Sequence, residues 1–279
     1  MKNVILIPTD FSNVCTDAIH YGSQLAAKFN ASVTIVHIVN KESISKLPIK
    51  EYPEDQIQKK LDEISSEIKT KFSIEVETIS RKGSIFETIN EIAIEIGAKL
   101  ILLGTHGKVG VQQQLTGSFA YKVVISSNVP VIVLPEGTVF KDGIQKIVFP
   151  LSSTAQVRQK VNWAVQIAKV FDAKIYLFNF PEKTKDDKLT MNVVLNQVTD
   201  EFDKHSIQYE IHDAEKGENF GNQVLLFSKV IQSDLIMIMS HSDKLNFVFS
   251  PYEEQIMFNK SNIPTMLINP RELKVYHWY

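Results

Sequence analysis

The feature that most constrains the fold of this 279-residue chain is that it is written twice. Ile7-Pro8 returns as Phe149-Pro150, Gln24-Leu-Ala26 as Gln166-Ile-Ala168, and Lys28-Phe-Asn-Ala31 as Val170-Phe-Asp-Ala173. Further on, Lys82-Gly83 returns as Lys216-Gly217, Leu100-Ile-Leu-Leu103 as Leu235-Ile-Met-Ile238, and Asn128-Val-Pro-Val-Ile-Val133 as Asn262-Ile-Pro-Thr-Met-Leu267. Chance does not deliver these pairs in one order, so the chain is a tandem duplication and each half must fold by the same rules. Each half is also long enough to bury its own core.

Within the first half, apolar runs of strand length alternate with helix-length amphipathic stretches. Val4-Ile-Leu-Ile7 and Ser32 to Val39 read as strands; a helix runs between them from Ser12 or Asn13 to about Phe29. A charged helix from Gln56 to Lys71, an alternating edge strand Ile74 to Ile79 and a helix from about Ser84 to Ile96 follow. Then come a strand at Leu100, a glycine-bearing loop, a helix beginning near Phe119, and the strand Val129 to Leu134. This β-α-β-α-β-α-β-α-β order predicts an α/β fold: two tandem flavodoxin/Rossmann-like domains, each a five-stranded parallel sheet with helices on both faces. Pro135 to Gly143 reads as the linker, giving domains 1–137 and 138–279.

A strand that runs through a glycine loop into a helix is a candidate anion site, because the first amides of a helix have no intrahelical partner and the dipole favours negative charge there. The loop is Gly104-Thr-His-Gly107-Lys-Val-Gly-Val-Gln-Gln-Gln-Leu-Thr-Gly117-Ser118. It is neither Gly-x-x-x-x-Gly-Lys-Ser/Thr nor a strand-following Gly-x-Gly-x-x-Gly. Gly104, Gly107 and Gly117 would let a phosphate approach the main chain, and Ser118 adds a hydroxyl donor. In an open parallel sheet the ligand lies beyond the carboxyl ends of the strands where the strand order reverses, so Pro8-Thr9-Asp10 should face this loop. Asp10 can accept from an adenine amino or a ribose hydroxyl, or close an Asx turn or helix cap. Ile38 can lie against adenine or pack in the core. His106 can donate to a phosphate, although its retention as His241 suits a structural role.

Pro8-Thr9-Asp10-Phe11-Ser12, the strand end Val36-His-Ile38-Val, and Leu103-Gly-Thr-His-Gly-x9-Gly-Ser-Phe-Ala120 together resemble the ATP-type domain of the universal stress protein superfamily, and the whole chain resembles its tandem two-domain type. The resemblance implies that Pro8, Thr9, Asp10 and Ile38 hold the nucleoside. It also implies that Leu103, Gly104, Gly107, Gly117, Ser118, Phe119 and Ala120 hold the phosphates. The expected ligand is ATP, ADP or AMP, with Mg2+ an optional companion. The second half departs from this pattern: Gly104, Gly107, Gly117 and Ser118 become Met239, Ser242, Pro251 and Tyr252, and Asp10 becomes Ser152. Side chains crowd a phosphate and Pro251 lacks an amide donor, so nucleotide is expected in the first half only.

Other classes fit less well. With 30 basic and 32 acidic residues there is no electrostatic footprint for nucleic acid. No apolar stretch is long enough to span a membrane, no signal peptide is visible, and one cysteine fits a reducing, cytoplasmic setting. The histidines lack metal-ligand spacing, so no metal site is expected. A slow ATPase or nucleotide-dependent phosphotransferase would need more than the Ser118, Lys108 and His106 found near the loop, which has no carboxylate and no arginine. A scaffold acting through dimerisation is the third reading, with the two domains paired within one chain or as a homodimer; the aromatic tail Leu273 to Tyr279 either packs on its own domain or covers a partner.

Overall fold

The computed structural model describes residues 3–40, 54–105, 113–138, 140–141, 143–152, 157–181, 184–240 and 251–270. In the first half, β1 (Val4–Pro8), α1 (Asn13–Phe29), β2 (Ser32–Val39), α2 (Glu54–Phe72), β3 (Val76–Lys82), α3 (Ile85–Glu95), β4 (Leu100–Thr105), α4 (Gln113–Ser126) and β5 (Val131–Pro135) follow one another. The second half repeats them as β6 (Lys146–Leu151), α5 (Val157–Phe171), β7 (Lys174–Asn179), α6 (Lys185–Lys204), β8 (Tyr209–Asp213), α7 (Phe220–Val230), β9 (Leu235–Met239), α8 (Pro251–Met257) and β10 (Thr265–Ile268).

The duplication is visible in the caps. The αL residue that ends α1 is Asn30, φ 49°, and its counterpart after α5 is Asp172, φ 53°. The next amide closes the turn in both, Ala31 to the Ala26 carbonyl at 2.8 Å and Ala173 to that of Ala168 at 3.0 Å. Asn and Asp tolerate this conformation better than other side chains, which explains why Phe-Asn-Ala and Phe-Asp-Ala recur.

The strands form one ten-stranded sheet in the order β3-β2-β1-β4-β5-β10-β9-β6-β7-β8. Each half is a parallel five-stranded sheet as expected. The two join where β5 and β10 pair antiparallel, Val133 opposite Thr265, Ile132 opposite Met266 and Val131 opposite Leu267. The expected pairing of the halves therefore occurs within the chain, and it removes two sheet edges at once. Because the junction is antiparallel, the carboxyl ends of the strands in the two halves point in opposite directions.

Apolar cores fill both faces. One, under α1, α2, α5 and α6, runs continuously across the junction from Leu25 and Ile35 to Phe149 and Phe202; the other lies under α3, α4, α7 and α8. The linker is pinned into the first: Phe140 meets Tyr21 edge-on at 4.9 Å and Phe171 at 5.9 Å, and Phe29 meets Phe171 at 5.9 Å. Gly143, φ 109°, passes so close to the Phe171 ring that a Cβ would lie 2.6 Å from it. Asn269, just past β10, donates its side-chain amide to the carbonyls of Val124 and Ile125 at the end of α4 and of Ser127 beyond it, tying the second half to the first.

Candidate functional site

The strand order places β1 beside β4, the point where the winding reverses. β1 pairs with β2 along its whole length, from Val4 to Pro8. With β4 it pairs only at Ile5 and Leu6, opposite Leu100 and Ile101. Beyond those residues no bridge joins the two strands, and the unpaired gap between Thr9-Asp10 and Gly104-Thr105 is the candidate crevice. Two segments almost a hundred residues apart in sequence are thus neighbours, as the sequence predicts.

The β1 side of the crevice is held tightly. The Thr9 amide donates to the Val36 carbonyl at 2.8 Å, and its hydroxyl accepts from the Phe11 amide at 3.0 Å. His37 Nδ1 donates to the Thr9 carbonyl at 2.8 Å, and its ring stacks on Phe11 at 4.6 Å. Burial pulls the His37 imidazole below its ordinary value. Phe11 takes φ 64°, a left-handed conformation uncommon for a bulky residue, and the Thr9 and His37 contacts hold it there. Sequence reasoning missed this His37–Phe11–Thr9 unit, whose local signal is only a polar residue inside an apolar strand.

Asp10 is exposed at the mouth, and its Oδ1 accepts from the Ser12 amide at 3.0 Å, so the Asx turn is formed. Partial burial works to raise its carboxyl, but the Ser12 side chain and amide and the Cys15 thiol outweigh it and hold the group below the usual carboxylate range. It presents an ionised acceptor to the crevice. Ser12, the expected cap of α1, sits at the N-cap with no side-chain capping bond.

Other expectations change. The Cβ of an alanine at Gly104 would lie 2.5 Å from the Val14 carbonyl oxygen, so glycine is needed there for α1 to cross β4. The helix after the loop does not begin near Phe119. α4 already includes Gln113, so Gly117, Ser118 and Phe119 lie inside it. An amide at 117 or 118 falls beyond the four unpaired N–H groups of the first turn and is used by the helix itself. Ile38, Leu103 and Ala120 are buried together in the second core. His106 and Gly107 lie outside the described residues, as do the side chains of Ser118 and Phe119 and the tail from Leu273. Among the described residues no group of three or more His, Cys, Asp or Glu is placed to hold a metal.

A larger cavity of about 550 Å³ lies elsewhere, between the halves, where the amino-terminal ends of β1 and β4 meet α5 and Asn269. It is at the opposite edge of the first sheet from Thr9 and Gly104 and belongs to the junction. In the second half, β6 and β9 also pair only at Ile147 and Val148, and a second crevice of about 200 Å³ opens beside Pro150, Leu151 and Met239.

Comparison with known proteins agrees with this architecture. The model of the universal stress protein family matches residues 1–135. A universal stress protein of Methanocaldococcus jannaschii is 29% identical over 137 residues, covering 47% of this chain and 80% of the relative. A crystal structure of a universal stress protein from Archaeoglobus fulgidus covers 97% of both chains with a TM-score of 0.72 at 16% identity. A universal stress protein solved in complex with cAMP is similar to 48% of this chain, at 22% identity and a TM-score of 0.39. Residues 1–135 thus match the universal stress protein family, and over nearly its whole length the chain shares the tandem α/β fold of a solved universal stress protein.

Proposed function

We propose that the chain is a regulatory, adenine-nucleotide-binding universal stress protein with its nucleotide in the first half only. ATP, ADP or AMP binds the crevice between β1 and β4, with or without Mg2+, and the domains divide at residue 137. The supporting observation is that the pairing of β1 with β4 ends after Leu6 and Ile101, which leaves Thr9, Asp10 and the start of the glycine loop on either side of one unpaired gap. Asp10 supplies an ionised acceptor for the nucleoside and Ile38 and Leu103 an apolar floor; amides of the loop before α4 receive the phosphates. A dipole-favoured anion at a helix terminus gains only about 0.3–1 kcal/mol, so several amides and burial of the base must supply most of the affinity.

The test is calorimetry of the full chain with ATP, ADP and AMP. One nucleotide per chain is expected, with affinity lost in Gly107→Val and weakened in Asp10→Ala while circular dichroism is unchanged. Two sites per chain, or wild-type affinity in Gly107→Val, would contradict the reading.

A further inference from the structure

The second half's crevice contains a group for which the first has no counterpart. Lys160 of α5 is 2% exposed. Its Nζ donates to the Pro150 carbonyl at the end of β6 and lies 3.9 Å from the centre of the Phe149 ring. With Gln166 aligned on Gln24 and Pro150 on Pro8, Lys160 takes the place of Ala18, a buried methyl in the core of the first half. It borders the cavity of about 200 Å³ whose other walls include Ser152, Phe180, Phe220, Met239 and Tyr252.

An ammonium has three protons to place, and the Pro150 carbonyl takes one. Among the described residues little else is offered: Phe149 on β6, Ser152 just after it, Met239 on β9 and Phe220 on α7 cannot neutralise it. α8 brings Tyr252, whose hydroxyl burial and Glu253 keep protonated. No carboxylate lines the cavity among the described residues, and burial pulls the amine down to about 7. A cation withdrawn from water without a matching charge is costly, and a bound anion relieves that cost. The aromatic walls in turn suit an apolar body, and a cavity of about 150 Å³ suffices for a benzene ring.

We propose that this crevice binds a small carboxylic acid with an aromatic or aliphatic body, its carboxylate on Lys160 Nζ and its body among Phe180, Phe220 and Tyr252. One buried amine is its anion-binding device. This does not rest on the nucleotide reading, since none of these residues belongs to the first crevice.

The experiment titrates acetate, butyrate, benzoate and phenylacetate into full-length protein carrying 13C at lysine Cε. Benzoate or phenylacetate should shift the Lys160 resonance with one-site saturation at millimolar concentration or below, and acetate should bind more weakly. Because the carboxylate binds the protonated amine, affinity should fall about tenfold per pH unit above pH 7. Lys160→Met should weaken binding at least about tenfold while the fold is retained, the side chains being similar in length and the replacement removing an unpaired charge. If none of the four acids moves the wild-type Lys160 resonance, or if Lys160→Met binds them as tightly, the proposal fails. The resonance shift needs no variant, so a folding defect in Lys160→Met would not protect it.

Discussion

Lys160→Met without any ligand should reveal how much the second half gives up to keep a buried amine. In the unfolded chain this lysine titrates near 10.5, and in the fold burial brings it to about 7. Between those values the unfolded chain holds a proton that the folded chain has released, so wild-type stability rises with pH; below about 7 both states are protonated and the dependence vanishes. At about 1.4 kcal/mol per pH unit the whole interval is worth up to about 5 kcal/mol, of which about 2 kcal/mol falls between pH 7 and pH 9. Methionine has no such dependence. Urea unfolding of both proteins at pH 7, 8 and 9 should show the variant ahead at pH 7 and its lead shrinking by about 2 kcal/mol at pH 9. Other groups titrate the opposite way, notably the Cys15 thiol, which burial pushes up to about 12, and the Tyr21 hydroxyl, which burial also raises. They are common to both proteins and cancel in the difference. A lead constant within about 0.5 kcal/mol over this range would refute burial as the condition of Lys160.

Gly104→Ala should destabilise the apo protein by about 1–3 kcal/mol, because its Cβ would press on the Val14 carbonyl and force α1 off the sheet; urea unfolding without nucleotide checks this, and a neutral result would refute the packing requirement. Asn269→Ala should cost about 1–3 kcal/mol, since the carbonyls of Val124, Ile125 and Ser127 lose a common donor; hydrogen exchange should show the end of α4 opening sooner. Phe140→Ala, which removes the ring between Tyr21 and Phe171, should cost up to about 3 kcal/mol and make the linker sensitive to protease. Leu267→Pro, which removes an amide facing β5, should break the β5–β10 ladder, and calorimetry should then resolve two unfolding transitions where the wild type has one.

The sequence alone was enough for the parts of the molecule that depend on local chemistry and on repetition. Alternating strand and helix periods, the Phe-Asn-Ala and Phe-Asp-Ala caps and the ordered repeats specify two parallel α/β halves, and connection rules place Thr9 and Asp10 opposite Gly104. Distances between segments remote in sequence were decided only by the packed structure. Gly104 reads in sequence as a ligand glycine, and only the packed structure adds that α1 crosses it. Gly117 and Ser118 look like loop residues because glycine is a poor helix former, yet they lie within α4, where tertiary packing outweighs propensity. The joining of β5 to β10 has no sequence mark, because a central strand and a paired edge carry the same apolar run. Lys160 left one faint sign, a charge on the stripe of Val161, Ala164 and Ile167. That it points into a cavity instead of solvent follows from where β6, β9 and α8 come together, which no single stretch of chain encodes.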